Sequence, residues 1–108
     1  MLTIAIAQEF TDIPGARHRK DGPKSGQEFL EEVLNPKFEQ ALKSGEKLLV
    51  DMDGAYGYAT SFISQSFGQL SHKYGAEVVL GVLEVKYDED PLIKQYTLDT
   101  IKKPDREF

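Results

Sequence analysis

Apolar and polar positions change period several times along the 108 residues. Leu2, Ile4 and Ile6 alternate with Thr3, Ala5 and Ala7, which predicts a first strand over residues 2–7. Pro14, Gly15, Gly22, Pro23 and Gly26 then break any period. Ser25 followed by Glu28 is a capping-box signature and predicts a helix start. After it Leu30, Val33, Leu34, Phe38, Ala41 and Leu42 fall on one helical face. Pro36 cuts into that face and predicts either a kink or a restart, and Gly45 ends the run at C′.

The pattern then becomes a nearly continuous apolar run, Lys47 to Met52, as expected for a central strand covered on both faces. Ile63, Phe67, Leu70 and Tyr74 follow at spacings of four, three and four, a helix that Gly75 terminates. Glu77 to Val82 reads as a short helical turn and Leu83 to Tyr87 as a third strand. Asp90-Pro91 is an N-cap followed by proline at the first helical position. The last helix turns Leu92, Ile93, Tyr96, Thr97, Thr100 and Ile101 inward. Strands alternating with helices imply an α/β fold with a small, mostly parallel sheet of three to four strands and helices packed on it. Residues 1–108 read as a single domain, with 104–108 fraying.

Composition adds little except by exclusion. Cysteine is absent, so there is no disulfide framework or thiolate metal site, which suits a reducing cytoplasm. The apolar start MLTIAIAQEF lacks a basic leader and reads as a strand, and no run approaches a membrane span. A net charge of −5 argues against direct nucleic-acid binding. The local exception lies between Pro14 and Gly26, where Arg17, Arg19, Lys20 and Lys24 face only Asp21, with His18 among them. That segment reads equally as a solvated loop or as an anion-facing one.

Candidate chemistry concentrates in LLVDMDGAYGYATSFI, residues 48–63. An apolar strand ends on Asp51 and Asp53, a loop with Gly54 and Gly57 follows, and Thr60 and Ser61 open the next helix. Strand C-termini are where open α/β sheets place their sites, and a helix start tolerates anions. Two functions fit. The first is a magnesium-dependent phosphohydrolase, with Asp51 as nucleophile and Asp53 as acid/base. In it Thr60 or Ser61 would bind phosphate, Lys73 balance charge, and Asp88 and Asp90 hold the metal. The second is non-catalytic, with phosphorylation of Thr60 or Ser61 switching a binding surface. The plainer role for either hydroxyl is to cap the helix. A catalytic triad is unsupported, because His72 lies more than about 15 Å along the helix from Ser61. No Gly-rich cradle is present to support nucleotide binding, and no cofactor or metal site is expected.

Taken together, PGARHRKDGPKSGQEFLEEVLNP, LLVDMDGAYGYATSFISQSFGQL and the strand before DEDP resemble the bacterial STAS-like domain family, from about Ile4 to Ile101. The resemblance implies a small α/β fold related to anti-sigma-factor antagonists. In the better-understood STAS relatives a serine or threonine at this helix start is phosphorylated by a partner kinase that also acts as an anti-sigma factor. The implied site is Asp51, Asp53, Gly54, Thr60 and Ser61, with Arg17 and Ser25-Gly26 matching an N-terminal motif. Ala59-Thr60-Ser61-Phe62 departs from those relatives' Asp-Ser-Ser-Gly start. The reading that follows is a cytoplasmic, non-enzymatic interaction module. Its partner would be a kinase-like ATPase, a sensor or a transcription regulator, and a scaffold or homodimer is the plainer outcome. Arg17, Arg19 and Ser25 form the anion or ion-pair loop in this reading, with Arg17 expected to pair with Asp51 and Asp53. Tyr56 and Tyr58 are expected to be exposed contacts.

Overall fold

The computed structural model describes residues 1–104. The fraying expected over 104–108 lies, beyond Pro104, outside the described residues. The order is β1 (Leu2–Ala5), α1 (Ile6–Glu9), α2 (26–44), β2 (Leu48–Asp51), α3 (60–74), α4 (Ala76–Val82), β3 (Leu83–Lys86) and α5 (Pro91–Lys102). A single 3-10 turn, Arg19–Asp21, interrupts the long connection between α1 and α2. The three strands form one parallel sheet in the order β1-β2-β3, with Ile4 opposite Val50 and Val50 opposite Val85.

The first strand is shorter than its alternation predicts. The chain turns helical at Ile6, and the Glu9 carboxylate accepts a hydrogen bond from the Ala5 backbone N–H. Ile6 is buried in either conformation, so its period could not separate the two. The second correction concerns coverage of the sheet. Ile4, Leu48 and Val50 are fully buried, and Leu83 and Val85 nearly so, on the helix-bearing face. Thr3 and Glu84 are exposed and Leu49 is half-buried on the opposite face. The helices therefore cover one face, and β2 alternates as a half-buried strand does.

Helix α2 starts as the sequence predicts, with Ser25 Oγ accepting from Glu28 N. The expected restart falls at Pro36, which stands in the first turn of the α-helical segment Asn35–Ser44. The preceding turn, Leu30–Leu34, widens to a π segment in which Asn35 N–H bonds the Leu30 carbonyl. The ladder thus shifts by one residue just before the position where proline has no N–H to give. A second π segment, Ser64–Gly68, lies inside α3, and the two segments pack against each other. Phe29 and Phe62, just before the two segments, stack with ring centroids 5.7 Å apart; Phe67 is fully buried against Phe29, and Phe38 against Tyr74. Each such ring contributes roughly 1.5–3 kcal/mol by leaving water.

Three residues expected inward are exposed. Leu42 is 38% exposed and Leu92 is 83% exposed, because each stands at the margin of its helix's apolar stripe. Tyr96, also expected inward, is 38% exposed. Thr97 and Thr100 are buried on α5 and satisfy their hydroxyls on the carbonyls of Ile93 and Tyr96. Asp90 caps α5 as predicted, accepting from Ile93 N at 3.1 Å. Among the described residues no helix is long and apolar enough to cross a membrane.

Candidate functional site

The three strands end on one edge, where backbone and side-chain bonds lace their loops together. Asp51 Oδ1 accepts from Asp53 N at 2.9 Å, an Asx turn that folds the chain sharply after β2. Gly54, at φ 93°, follows in the left-handed region and donates its N–H to Glu89 Oε1. Tyr56 N donates to Asp12 O, which ties the same loop to the segment that follows α1. Tyr56 itself is 86% exposed. Tyr58 is not. It is buried, with its hydroxyl donated to the Met52 carbonyl and its ring edge-on to Tyr87. Burial pushes its phenol well above the ordinary value. The expectation of two exposed tyrosines fails at Tyr58 because a buried phenol needs one acceptor, and Met52 supplies it.

The partner of the acids is Lys86, a residue the sequence reading passed over. Parallel pairing sets Lys86 opposite Asp51. Its ammonium lies 2.5 Å from Asp53 Oδ2 and 3.2 Å from Asp88. Glu89 N donates to the other Asp53 oxygen. The bond from Lys86 holds the Asp53 carboxyl below the usual carboxylate range, against the opposing effect of its partial burial. Lys86 is raised correspondingly, by Asp53 first and Asp88 second. A depressed carboxyl stabilises the fold above its unfolded value and loses that contribution as pH falls through its folded value. Asp53→Asn is therefore expected to lower the melting temperature at neutral pH. The difference from wild type should close as pH falls below the ordinary carboxylate value and through the lowered value of folded Asp53. Thermal melts of both proteins across that range check it.

The basic loop is wired differently from expectation. Arg17 does not pair with Asp51 or Asp53; its Nη1 donates to Ser64 Oγ at 3.4 Å. Arg19 is held by Glu31 at 3.1 Å and Glu32 at 2.8 Å on α2, so it faces its own helix rather than an incoming anion. His18 lies 3.7 Å from Asp21, and Lys24 stands over the Phe10 ring. Ser25 is buried as the α2 cap. The next amides are also taken, Gly26 N by Ala16 O and Gln27 N by Arg17 O. The start of α2 is thus closed by the protein itself. Gly26 is required there by close approach: a Cβ would lie 2.5 Å from the Phe62 carbonyl oxygen. Ser25, placed in the anion or ion-pair loop by the sequence, instead caps α2 as its capping-box spacing predicts, and Gly26 docks that helix on α3.

The start of α3 is open by contrast. Ala59 is the N-cap and makes no side-chain cap bond, while its carbonyl accepts from Phe62 N and Ile63 N. Thr60 and Ser61 occupy the first two helical positions, so neither plays the capping role that their type suggests. Among the described residues neither hydroxyl makes a hydrogen bond. Thr60 is exposed and Ser61 half-buried. Phe62, next to them, is fully buried.

Of the residues named for a phosphohydrolase, Asp53 and Asp88 share Lys86, and the others are engaged elsewhere or stand apart from them. Lys73 sits at the far end of α3 near Glu39 and Asn35. Asp88 pairs with Lys86, and Asp90 caps α5. No group of three or more His, Cys, Asp or Glu that could hold a metal occurs among the described residues.

A family model described as a STAS-like domain of unknown function matches residues 25–102. The chain belongs to this STAS-like family. The match takes in β2, the acidic loop and all of α3 and α5, and leaves β1 and the Pro14–Lys24 segment outside it. The resemblance read from the sequence extended back to Ile4, so the family assignment rests on the core of the domain and not on the basic loop. No curated protein and no solved structure matches the chain. In this STAS-like chain the candidate site residues that fall inside the matched span are Ser25, Asp51, Asp53, Gly54, Thr60 and Ser61.

Proposed function

We propose that this STAS-like protein is a non-enzymatic regulatory module that binds a protein partner through the loop after β2 and the start of α3. Phosphorylation of Thr60 or Ser61 switches the surface. The observation that carries this reading is the open start of α3: two adjacent hydroxyls with no bond of their own, at a helix end that no side chain caps. A phosphate there gains from unpaired amides and the helix dipole. The surface around it is fixed by the laced loops and offers the exposed Tyr56, a residue type favoured at interfaces. The partner class is a kinase-like ATPase, a sensor or a transcription regulator of the cytoplasm.

The acids support the same reading. Asp53 has both oxygens engaged, by Lys86 and by the Glu89 amide, and Asp51 turns the backbone. These are bonds that stiffen a loop. Protein isolated from its native cells is expected to carry phosphate on Thr60 or Ser61 in part of the population, read by phosphopeptide mapping. Magnesium-dependent phosphatase activity that disappears in Asp51→Asn would instead favour the enzyme.

A further inference from the structure

Arg17 is half-buried, yet among the described residues its guanidinium makes one side-chain bond, the long one to Ser64 Oγ at 3.4 Å. Arg19, two residues on, holds two carboxylates. No carboxylate of the described residues pairs with Arg17. A guanidinium offers five donors in a planar fork suited to an oxyanion, and partial burial raises the value of finding one.

Helix geometry identifies where that oxyanion sits. Gly26 at the start of α2 meets α3 at Phe62 and Gln65. Successive residues turn about 100°, so Ser61 lies between Gln65 and Ser64, about 40° from one and about 60° from the other. Thr60 lies beyond Ser64, on the side away from α2. The Arg17 backbone is fixed beside α2, because its carbonyl accepts from Gln27 N. A side chain reaching from there to Ser64 crosses the sector of α3 that Ser61 occupies. The burial agrees, since Ser61 is half-covered and Thr60 is exposed.

We propose that Arg17 receives a phosphoryl group carried by Ser61, with Ser64 holding the guanidinium in the unmodified protein. The proposal rests on the reading that the start of α3 is modified, and selects Ser61 over Thr60. Transfer from a nucleoside triphosphate forms the bond from Ser61 Oγ to phosphorus. It breaks the bond from that phosphorus to its bridging oxygen, the nucleoside diphosphate leaves, and the hydroxyl proton passes to a base of the transferring kinase. The new group presents three acceptor oxygens one turn from Ser64, the residue that Arg17 Nη1 already contacts. Arg17 then exchanges a long neutral bond for a bidentate charged one. The Pro14–Gly26 loop, which Arg17 anchors, is how the modification is felt away from the helix.

The test uses full-length protein with phosphoserine encoded at position 61 and follows the phosphate by phosphorus NMR against pH. Its second ionisation, ordinarily near pH 6, is expected about half a unit or more lower in the protein. Arg17→Gln should return it to the ordinary value and Arg17→Lys should keep part of the shift. Phosphothreonine at position 60 should titrate alike with and without Arg17. Equal midpoints in wild type and Arg17→Gln, both folded by circular dichroism, would overturn the proposal. No partner enters these titrations. A module that proves never to be phosphorylated in its cells contradicts the reading of α3, whereas an unmoved midpoint contradicts the role of Arg17 alone.

Discussion

Phe62→Ala is expected to destabilise the protein by about 3–5 kcal/mol. The ring is fully buried, stacks on Phe29, and meets Tyr58 at 5.7 Å. Its backbone carbonyl lies under Gly26, where α2 and α3 come closest. Truncation removes the ring's burial and leaves a cavity between two helices whose approach is already set by a glycine, so little collapse is available. A domain of this size is held by roughly 5–15 kcal/mol in total, so the loss is a large share. In urea the midpoint should fall with the slope unchanged. Leu92→Ala, on a side chain that is 83% exposed, should change the stability by no more than about 0.5 kcal/mol. Phe62 and Ser61 are adjacent, and the contrast matters for function: the core holds one so that the other is presented at a fixed place.

Ser61→Glu is expected to weaken association with the partner by about tenfold or more, the equivalent of about 1.4 kcal/mol. Ser61 is half-buried at the first turn of α3, and a carboxylate there is a charge introduced at the recognition surface. Asp51 and Asp53 precede it in the same loop, and their compensation by Lys86 is already taken up. Added negative charge on such a surface costs binding through repulsion and desolvation. Competition titration of labelled protein against unlabelled wild type and variant measures the ratio directly. Ser61→Ala, which adds no charge, is expected to bind close to wild type.

The element types were legible because each had its own period or punctuation. Ser25, Gly45, Gly75 and Asp90-Pro91 mark helix ends in the structure as their residue types indicate. What was not legible is what depends on distant partners. Ile6 fits a strand or a helix equally, and only the bond from Ala5 N to Glu9 shows where β1 stops. The widened turn before Pro36 has no signature of its own, since α and π backbones bury nearly the same side chains. Leu49 looked like a second buried face, yet β2 is covered on one side and alternates Leu48 and Val50 with Leu49 and Asp51. At the site, Asp51, Asp53 and the open hydroxyls were readable from the strand-loop-helix pattern. The counter-charges were not. Arg17 looked like the natural partner of the acids, and Arg19 like an anion ligand, until Lys86 and the Glu31–Glu32 pair were seen to claim those roles. A lysine closing β3 in register with Asp51 was the available signal.

The central claim is that the start of α3 is a regulated protein-binding surface. Capture of partners from the native host's extract, with wild type and Ser61→Glu compared side by side and quantified by mass spectrometry, tests it most directly. The account predicts an ATPase, sensor or transcription regulator retained by wild type and depleted about tenfold or more by the variant. Equal capture of every partner by the two proteins would contradict it.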